Sequence, residues 1–137
     1  MRITRAEAAA LGRKRSPRPP KEREIQKAIL AFLRTVPGVV AWKSGGGMFR
    51  LEYKGKARMV RMGHRGVSDI IGWRADVSTC QRCTPSRVAL FLAIEVKAAR
   101  GVLTPEQQAF LDAVKAAGGI AFVARSVSDV AAGLGVG

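Results

Sequence analysis

The sequence predicts an α/β fold in which helices flank a small mixed β-sheet, with the elements in the order α-β-β-β-α-β-α. Two patterns predict this fold. Apolar residues recur at helical spacing in some segments, and short runs of branched and aromatic residues, such as residues 90–96, lie between them. At 137 residues the chain is long enough for one hydrophobic core. We therefore divide it into a basic, proline-containing arm, residues 1–21, and one folded domain, residues 22–137.

The charge of the chain indicates its class of partner. Lysine and arginine number 24 against 10 aspartates and glutamates, so the net charge is +14. A surplus of this size favours nucleic acid as the partner. An anionic membrane would attract the same charge, but no apolar run approaches the roughly 18 residues of a spanning helix. Because the N-terminus also lacks the apolar core of a signal peptide, we expect a soluble, intracellular protein without membrane contact.

The first predicted helix runs from Glu22 to Arg34, where apolar side chains recur every three or four residues. Pro20 precedes this helix and Pro37-Gly38 follows it, as expected for a helix bounded at both ends. Glu24 lies in the first turn, where the helix dipole favours a carboxylate even without a further role. The arm before the helix either follows phosphates or only keeps the protein in solution.

A glycine-rich loop and a basic segment follow the first predicted strand, residues 39–42. The basic segment, residues 49–65, forms a hairpin or an extended loop, and its cationic side chains are suited to phosphate contacts. The lone histidine, His64, is more typical of a surface or phosphate-contacting residue than of a catalytic base. The predicted DNA-binding residues are Lys43, Arg50, Lys54, Lys56, Arg58, Arg61, His64 and Arg65.

Asp69 stands near the start of the second predicted strand, residues 67–73, although aspartate is disfavoured within strands. A local inconsistency of this kind often marks a functional site. Residues 74–87 are predicted to form a polar turn that carries Cys80 and Cys83. One Cys-x-x-Cys pair supplies half of a zinc site at most, so zinc would need ligands from a partner chain.

Glu95 and Lys97 end the third predicted strand, an otherwise apolar run that begins at Leu90. Strand side chains alternate, so these two charges share a face while Ile94 and Val96 point the other way. Burying an unpaired charge is costly, and two charges at this position therefore need an explanation. They form either an ion pair at a strand end or a metal-binding carboxylate beside a lysine.

The second predicted helix begins with a complete capping signal. Thr104 occupies the N-cap, Pro105 the first helical position, and Gln107 closes a capping box. The helix is predicted to end near Ala117, before two glycines. A strand over residues 120–123 and a closing helix capped by Ser126 complete the domain.

Three acidic residues, Glu24, Asp69 and Glu95, thus stand at special positions on different elements. Adjacent antiparallel strands can bring Asp69 and Glu95 to one place, and a helix packed across the sheet can add Glu24. Carboxylate oxygens together with water are ligands that suit Mg²⁺ or Mn²⁺. Lys97, on the face of Glu95, would then orient or deprotonate an attacking water and stabilise the charge on a phosphodiester.

The chain resembles the PD-(D/E)XK nuclease superfamily and, more closely, its virus-type replication-repair nuclease branch, the VRR-NUC domain. The resemblance covers about residues 22–134, and Ser68 departs from it where a proline often precedes the aspartate. The main matching motifs are Glu24-Ile25-Gln26, Gly66-Val67-Ser68-Asp69-Ile70-Ile71, Ile94-Glu95-Val96-Lys97 and Gly101-Val102-Leu103-Thr104-Pro105-Glu106-Gln107.

This resemblance implies a restriction-endonuclease-like core and a role for each site residue. The implied ligands of Mg²⁺ or Mn²⁺ are Glu24, Asp69, Glu95 and the main-chain carbonyl of Val96. Lys97 would be the catalytic lysine, acting with Asp69 and Glu95. Gln107 would lie over the site as an additional catalytic residue, with a plain capping role as the alternative.

The resemblance also implies a structure-specific DNA endonuclease that is phage-encoded and homodimeric, acts in the cytoplasm of a bacterial host, and has four-way junctions among its substrates. Two symmetric cuts in a junction suit a symmetric dimer. One alternative is a non-catalytic DNA-binding module of the same fold, although the complete set of site residues argues against it. Another is an RNA nuclease, which would share the chemistry.

Overall fold

The computed structural model describes residues 16–78 and 86–137. In this part of the chain, the predicted α/β fold and its order of core elements are confirmed, with a separate two-stranded hairpin between the first two core strands. The elements are α1 (Glu22–Leu33), β1 (Val39–Lys43), β2 (Gly47–Tyr53), β3 (Lys56–Met62), β4 (Ile70–Ser78), β5 (Ser86–Val96), α2 (Pro105–Ala116), β6 (Ile120–Ala124) and α3 (Val127–Leu134).

The main sheet has four strands in the order β1-β4-β5-β6. The pairs β1–β4 and β4–β5 are antiparallel, whereas β5 and β6 are parallel, so the sheet is mixed. Ile70 lies opposite Ile94 in the β4–β5 register. Asp69, just before β4, is therefore next to the end of β5, where Glu95 and Val96 lie.

The hydrophobic core has two parts, one on each face of the sheet. Ile29 of α1 and Val130 of α3 pack with alternate residues of the central strands on one face, including Ile94 and Val96. On the other face, Leu111 of α2 forms a smaller cluster with Ala93 and Ala121. The C-terminal half of β5 is thus buried between two helical layers, and charges placed there have little access to water.

Of the two predicted forms of the basic segment, a hairpin and an extended loop, the structure has the hairpin. Strands β2 and β3 pair along their full length, from Gly47 opposite Met62 to Tyr53 opposite Lys56. The two connecting residues, Lys54 and Gly55, have φ values of 51° and 71°. Positive φ at both positions is the backbone of the tight turn that matches the twist of a hairpin.

The prediction of a polar turn over residues 74–87 is wrong at both ends. Strand β4 continues to Ser78 and β5 begins at Ser86, and the two strands pair residue by residue over this stretch. Cross-strand hydrogen bonding in this long ribbon outweighs its polar composition. Strand β4 also begins at Ile70, after Asp69 rather than before it.

Two further predictions lie outside the described residues. They concern Cys80 and Cys83, and residues 1–15 of the basic arm. For the residues that are described, none of the helices combines the length and the apolar character needed to span a membrane.

Candidate active site

The end of β5 brings Glu95 and Lys97 together on one face of the sheet. Because side chains alternate along the strand, Ile94 and Val96 point into the core beneath α1 and α3. Glu95 is 1% exposed and Lys97 is 9% exposed. Lys97 Nζ lies 3.1 Å from Glu95 Oε1, so the two buried charges form an ion pair.

Gln107 connects this ion pair to the start of α2. Its Oε1 accepts a hydrogen bond from the Thr104 backbone N–H at 3.0 Å, while the Thr104 hydroxyl accepts from the Gln107 backbone N–H at 3.2 Å. Gln107 Nε2 donates to Glu95 Oε1 at 2.5 Å. The same side chain therefore completes the capping box and contacts the candidate site, so the two interpretations of Gln107 are compatible.

The carboxylate of Glu95 is asymmetric in its contacts. Both donors, Lys97 and Gln107, reach Oε1, whereas Oε2 is buried and has no hydrogen-bond partner. Burial, followed by the charge of Asp69, raises the pKa of Glu95 to about 7, and Lys97 only partly offsets this rise. A buried acceptor without a partner is costly, so Oε2 is an available position for a cation.

Asp69 is fixed to the same place by two backbone contacts. Its Oδ2 accepts a hydrogen bond from the Val96 N–H at 2.9 Å, and its own carbonyl accepts from the Ser44 N–H at 2.7 Å. The side-chain contact joins the start of β4 to the end of β5. The predicted meeting of Asp69 with Glu95 is therefore seen in the structure.

Ser68 and Gly66 shape the loop that carries Asp69. The Ser68 side chain is fully buried, and its hydroxyl has no hydrogen-bond partner. Gly66 has a φ of 73°, and a Cβ at this position would collide with the Glu106 carbonyl at the start of α2. A side chain at residue 66 would thus push the loop away from α2.

Glu24 makes local contacts at the N-terminus of α1. Its carboxylate accepts from the Lys21 N–H at 2.8 Å and forms an ion pair with Arg18 at 2.7 Å. These contacts, that of Lys21 first, hold the pKa of Glu24 below its usual range. Within residues 16–78 and 86–137, no three acidic, histidine or cysteine side chains are grouped to hold a metal. A metal-binding role for Glu24 therefore stays a prediction.

Another glutamate of α1, Glu22, shares a cavity with Asp69. Glu22 and Gln26 line a cavity of about 240 Å³ together with Lys43 and Asp69. Residues four apart lie on one face of a helix, which places this pair beside the buried stripe that begins at Ile25. Glu22 is not among the predicted site residues, although its spacing from Gln26 was the available signal.

The predicted DNA-binding residues lie in three places. Five are on the exposed hairpin, Lys43 ends β1 beside Asp69, and His64 and Arg65 are in the loop after β3. A second cavity, of about 370 Å³, is lined by Arg61, His64 and Arg65 on one side and by Gln107 on another. Of the predicted DNA-binding residues, Arg61, His64 and Arg65 thus share a cavity with Gln107, and Lys43 shares one with Asp69. The five hairpin residues are Arg50, Lys54, Lys56, Arg58 and Arg61.

A mixed sheet flanked by helices, with a carboxylate–lysine pair at the end of a central strand, defines a restriction-endonuclease-like core. A family model, the VRR-NUC domain, matches residues 38–128, which is more than half of the chain. The chain therefore belongs to the VRR-NUC domain family, a nuclease-type family. The match contains Asp69, Glu95, Lys97 and Gln107 but begins after α1. Comparisons with curated proteins and with solved structures gave no match.

Proposed function

We propose that this protein is a divalent-metal-dependent endonuclease that hydrolyses phosphodiester bonds in DNA, with Mg²⁺ or Mn²⁺ as its cofactor. The observation that carries the proposal is the Glu95 carboxylate, which has two donors on Oε1 and a buried Oε2 without a partner. The VRR-NUC family supports nuclease chemistry. Metal dependence and DNA as the substrate are our inferences from the site and from the basic charge.

The residues at this site fit a hard divalent cation. Oxygen ligands are preferred by such ions, and Oε2 of Glu95 is a buried oxygen whose ionised form needs a positive partner. Asp69 and the main-chain carbonyl of Val96 would be the other metal ligands from the adjoining ends of β4 and β5. From α1 we favour Glu22, which shares a cavity with Asp69, while Glu24 is the ligand implied by the resemblance.

A bound divalent ion would neutralise the phosphate and lower the pKa of a coordinated water. Lys97 would orient the attacking water and stabilise the charge that develops on the phosphate oxygens, because its ammonium group is already fixed by Glu95. Gln107 would keep the Glu95 carboxylate in one orientation through its hydrogen bond to Oε1.

The basic side chains would hold the DNA backbone. Contacts to phosphates give affinity and position without reading sequence, which suits an enzyme that recognises DNA structure. We include branched and four-way junction DNA in the proposal on the strength of the resemblance. A homodimer is proposed for the same reason, since two symmetric cuts require two sites.

Cleavage of a DNA panel tests this proposal directly. Labelled duplex, flap, splayed and four-way DNA would be incubated with Mn²⁺, with Mg²⁺ or with a chelator. We expect cleavage with metal only, and a loss of about 100-fold or more in Lys97→Ala. Lys115→Ala, at the far end of α2, is the matched control.

Two results would contradict the proposal. Equal cutting by Lys97→Ala and the parent protein would show that another nuclease is responsible. Tight DNA binding without cleavage of any substrate under any metal condition would favour the non-catalytic binding module.

A further inference from the structure

The β2–β3 hairpin exposes large apolar side chains along its length, on both sides of the ribbon. Their exposed fractions lie between 48% and 74%, and the residues are Met48, Phe49, Leu51, Tyr53 and Met59. Within the described part of the chain, this ribbon pairs with no strand outside itself. Exposed apolar side chains grouped in this way indicate an interaction surface.

The strand register places a cationic residue directly opposite four of these five apolar residues. The four pairs are Leu51–Arg58 and Tyr53–Lys56 on one side of the ribbon, and Met48–Arg61 and Met59–Arg50 on the other. Residues directly opposite each other have Cβ atoms about 4.5–5.5 Å apart and point to the same side. Each of these apolar side chains therefore has a cation as its cross-strand neighbour.

An apolar group beside a cation matches the chemistry of an unpaired nucleotide, in which a flat base is joined to an anionic phosphate. Proteins that bind single strands combine cations for the backbone with side chains on which bases stack. In a regular duplex, neighbouring bases cover each other's faces, and a protein reaches only base edges and phosphates. The apolar side chains of the hairpin would have no partner there.

We propose that the hairpin binds unpaired nucleotides at the point where the two strands of a DNA substrate separate, with one strand on each side of the ribbon. This inference rests on the proposed function, because it takes DNA as the substrate. The observation that carries it is the presence of apolar–cation pairs on both sides. A ribbon that lay flat against a duplex would use one side only.

Tyr53 lies next to the tip of the hairpin and is its most exposed apolar residue, at 74%. Lys54 Nζ lies 5.4 Å from the centroid of the Tyr53 ring, so a cation already orients this ring. The turn consists of only two residues, Lys54 and Gly55, and the strands on either side of it are fully paired. The ring is therefore held in place before a base stacks on it, which reduces the entropy lost on binding.

The charge of the hairpin favours nucleic acid over other occupants. Residues 47–62 contain five cationic residues and one acidic residue, Glu52. Two copies of such a ribbon would bring like charges together. Insertion into a membrane would remove water from Lys54 at the tip and from the cations on both sides. Unpaired nucleotides supply phosphates for the cations and bases for the apolar side chains.

The base of the hairpin adjoins the candidate active site. Gly47 and Arg61 line the cavity of about 370 Å³ together with Gln107, which donates to Glu95. Strand residues rise about 3.4 Å each, so Tyr53 lies about 20 Å from Gly47 along β2. DNA rises by about the same distance for each base pair. We therefore expect cleavage within about six base pairs of the point where the strands separate.

Binding to splayed DNA and to linear duplex of the same length tests the inference. Fluorescence anisotropy would be measured at one salt concentration with a chelator present, so that cleavage is not needed. We expect the protein to bind splayed DNA about tenfold or more tightly than duplex. In the same complex, 2-aminopurine at the first unpaired position should change its emission on each of the two strands.

One substitution on each side of the ribbon separates base contacts from phosphate contacts. Tyr53→Ala is expected to lower the preference for splayed DNA about fivefold, because a stacked base is lost. Met59→Ala should lower it about threefold, since a thioether interacts more weakly with a ring. Val77→Ala, at an apolar residue of β4 that is 52% exposed, is the matched control and should keep the preference. Circular dichroism establishes that each variant is folded.

Several results would overturn the inference. These are equal affinity for splayed DNA and duplex, an unchanged preference in folded Tyr53→Ala and Met59→Ala, and an emission change on one strand only. Binding to phosphatidylserine vesicles that is lost in Tyr53→Ala would assign the hairpin to a membrane. Failure to bind either DNA would contradict both this inference and the proposed substrate. Selective binding without cleavage under any metal condition would refute only the proposed nuclease activity, so the two failures are distinguishable.

Discussion

Glu95→Gln is expected to remove a pH-dependent loss of stability from the metal-free protein. A glutamine oxygen accepts the same bonds from Lys97 and Gln107, so the substitution mainly removes the charge. In the parent, burial and then Asp69 raise the pKa of Glu95 from 4.5 to about 7. Since one pKa unit corresponds to about 1.4 kcal/mol, ionising Glu95 lowers the free energy of unfolding by about 3 kcal/mol.

The direction of the shift fixes the pH range. Because the pKa is raised in the folded state, the protonated carboxyl stabilises the fold fully below pH 4.5, the usual pKa. This stabilisation is lost progressively as the pH rises through about 7. Relative to Glu95→Gln, the free energy of unfolding of the parent should therefore fall by about 3 kcal/mol between about pH 4 and pH 8, mostly between the two pKa values of 4.5 and about 7.

Urea unfolding in the presence of a chelator, followed by circular dichroism at several pH values, measures both proteins. Glu52→Gln, the same substitution at an exposed hairpin residue, is the control and should follow the parent. Addition of Mn²⁺ at about pH 8 should stabilise the parent more than Glu95→Gln, because a cation would offset the buried charge. Parallel pH curves for the parent and Glu95→Gln would refute a buried Glu95 carboxylate whose Oε2 has no hydrogen-bond partner.

Four further substitutions separate the parts of the site and its surroundings. Glu22→Gln is expected to weaken Mn²⁺ binding about tenfold, as measured by calorimetry. Glu24→Gln should lower the melting temperature with little effect on the affinity for Mn²⁺. The opposite pattern would make Glu24 the ligand. Gly66→Ala should destabilise the domain by about 1–3 kcal/mol in urea unfolding, because a Cβ would collide with the Glu106 carbonyl. An unchanged midpoint of urea unfolding would show that the loop moves aside. Arg58→Ala should reduce the salt dependence of DNA binding by about one unit of slope, and an unchanged slope would exclude that residue from the DNA contacts.

The parts of the fold set by local pattern could be predicted from the sequence. The capping signal at Thr104 and Gln107 locates the start of α2, and the alternation in β5 places Glu95 and Lys97 on one face. Both depend on short-range geometry that the backbone imposes on neighbouring residues. The meeting of Asp69 with the end of β5 followed because adjacent antiparallel strands restrict where their ends lie.

The features that the sequence did not predict depend on contacts between residues that are distant along the chain. Glu22 and Glu24 are both in the first turn of α1, and the rotation of the helix on the sheet decides which one shares a cavity with Asp69. The extension of β4 to Ser78 depends on pairing with a distant strand. The exposure of Trp73 likewise reflects how far α2 extends over the sheet, which no local pattern specifies.

Because Gln107 has two roles, the orientation of Glu95 depends on the first turn of α2 remaining folded. Because the side chain that closes the capping box also holds Glu95, fraying of α2 at Thr104 would release the carboxylate from one of its two donors. Local opening at helix ends costs far less than global unfolding. The stability of this first turn therefore limits how long the carboxylate stays oriented. Thr104, which caps the turn, influences the orientation of Glu95 through Gln107.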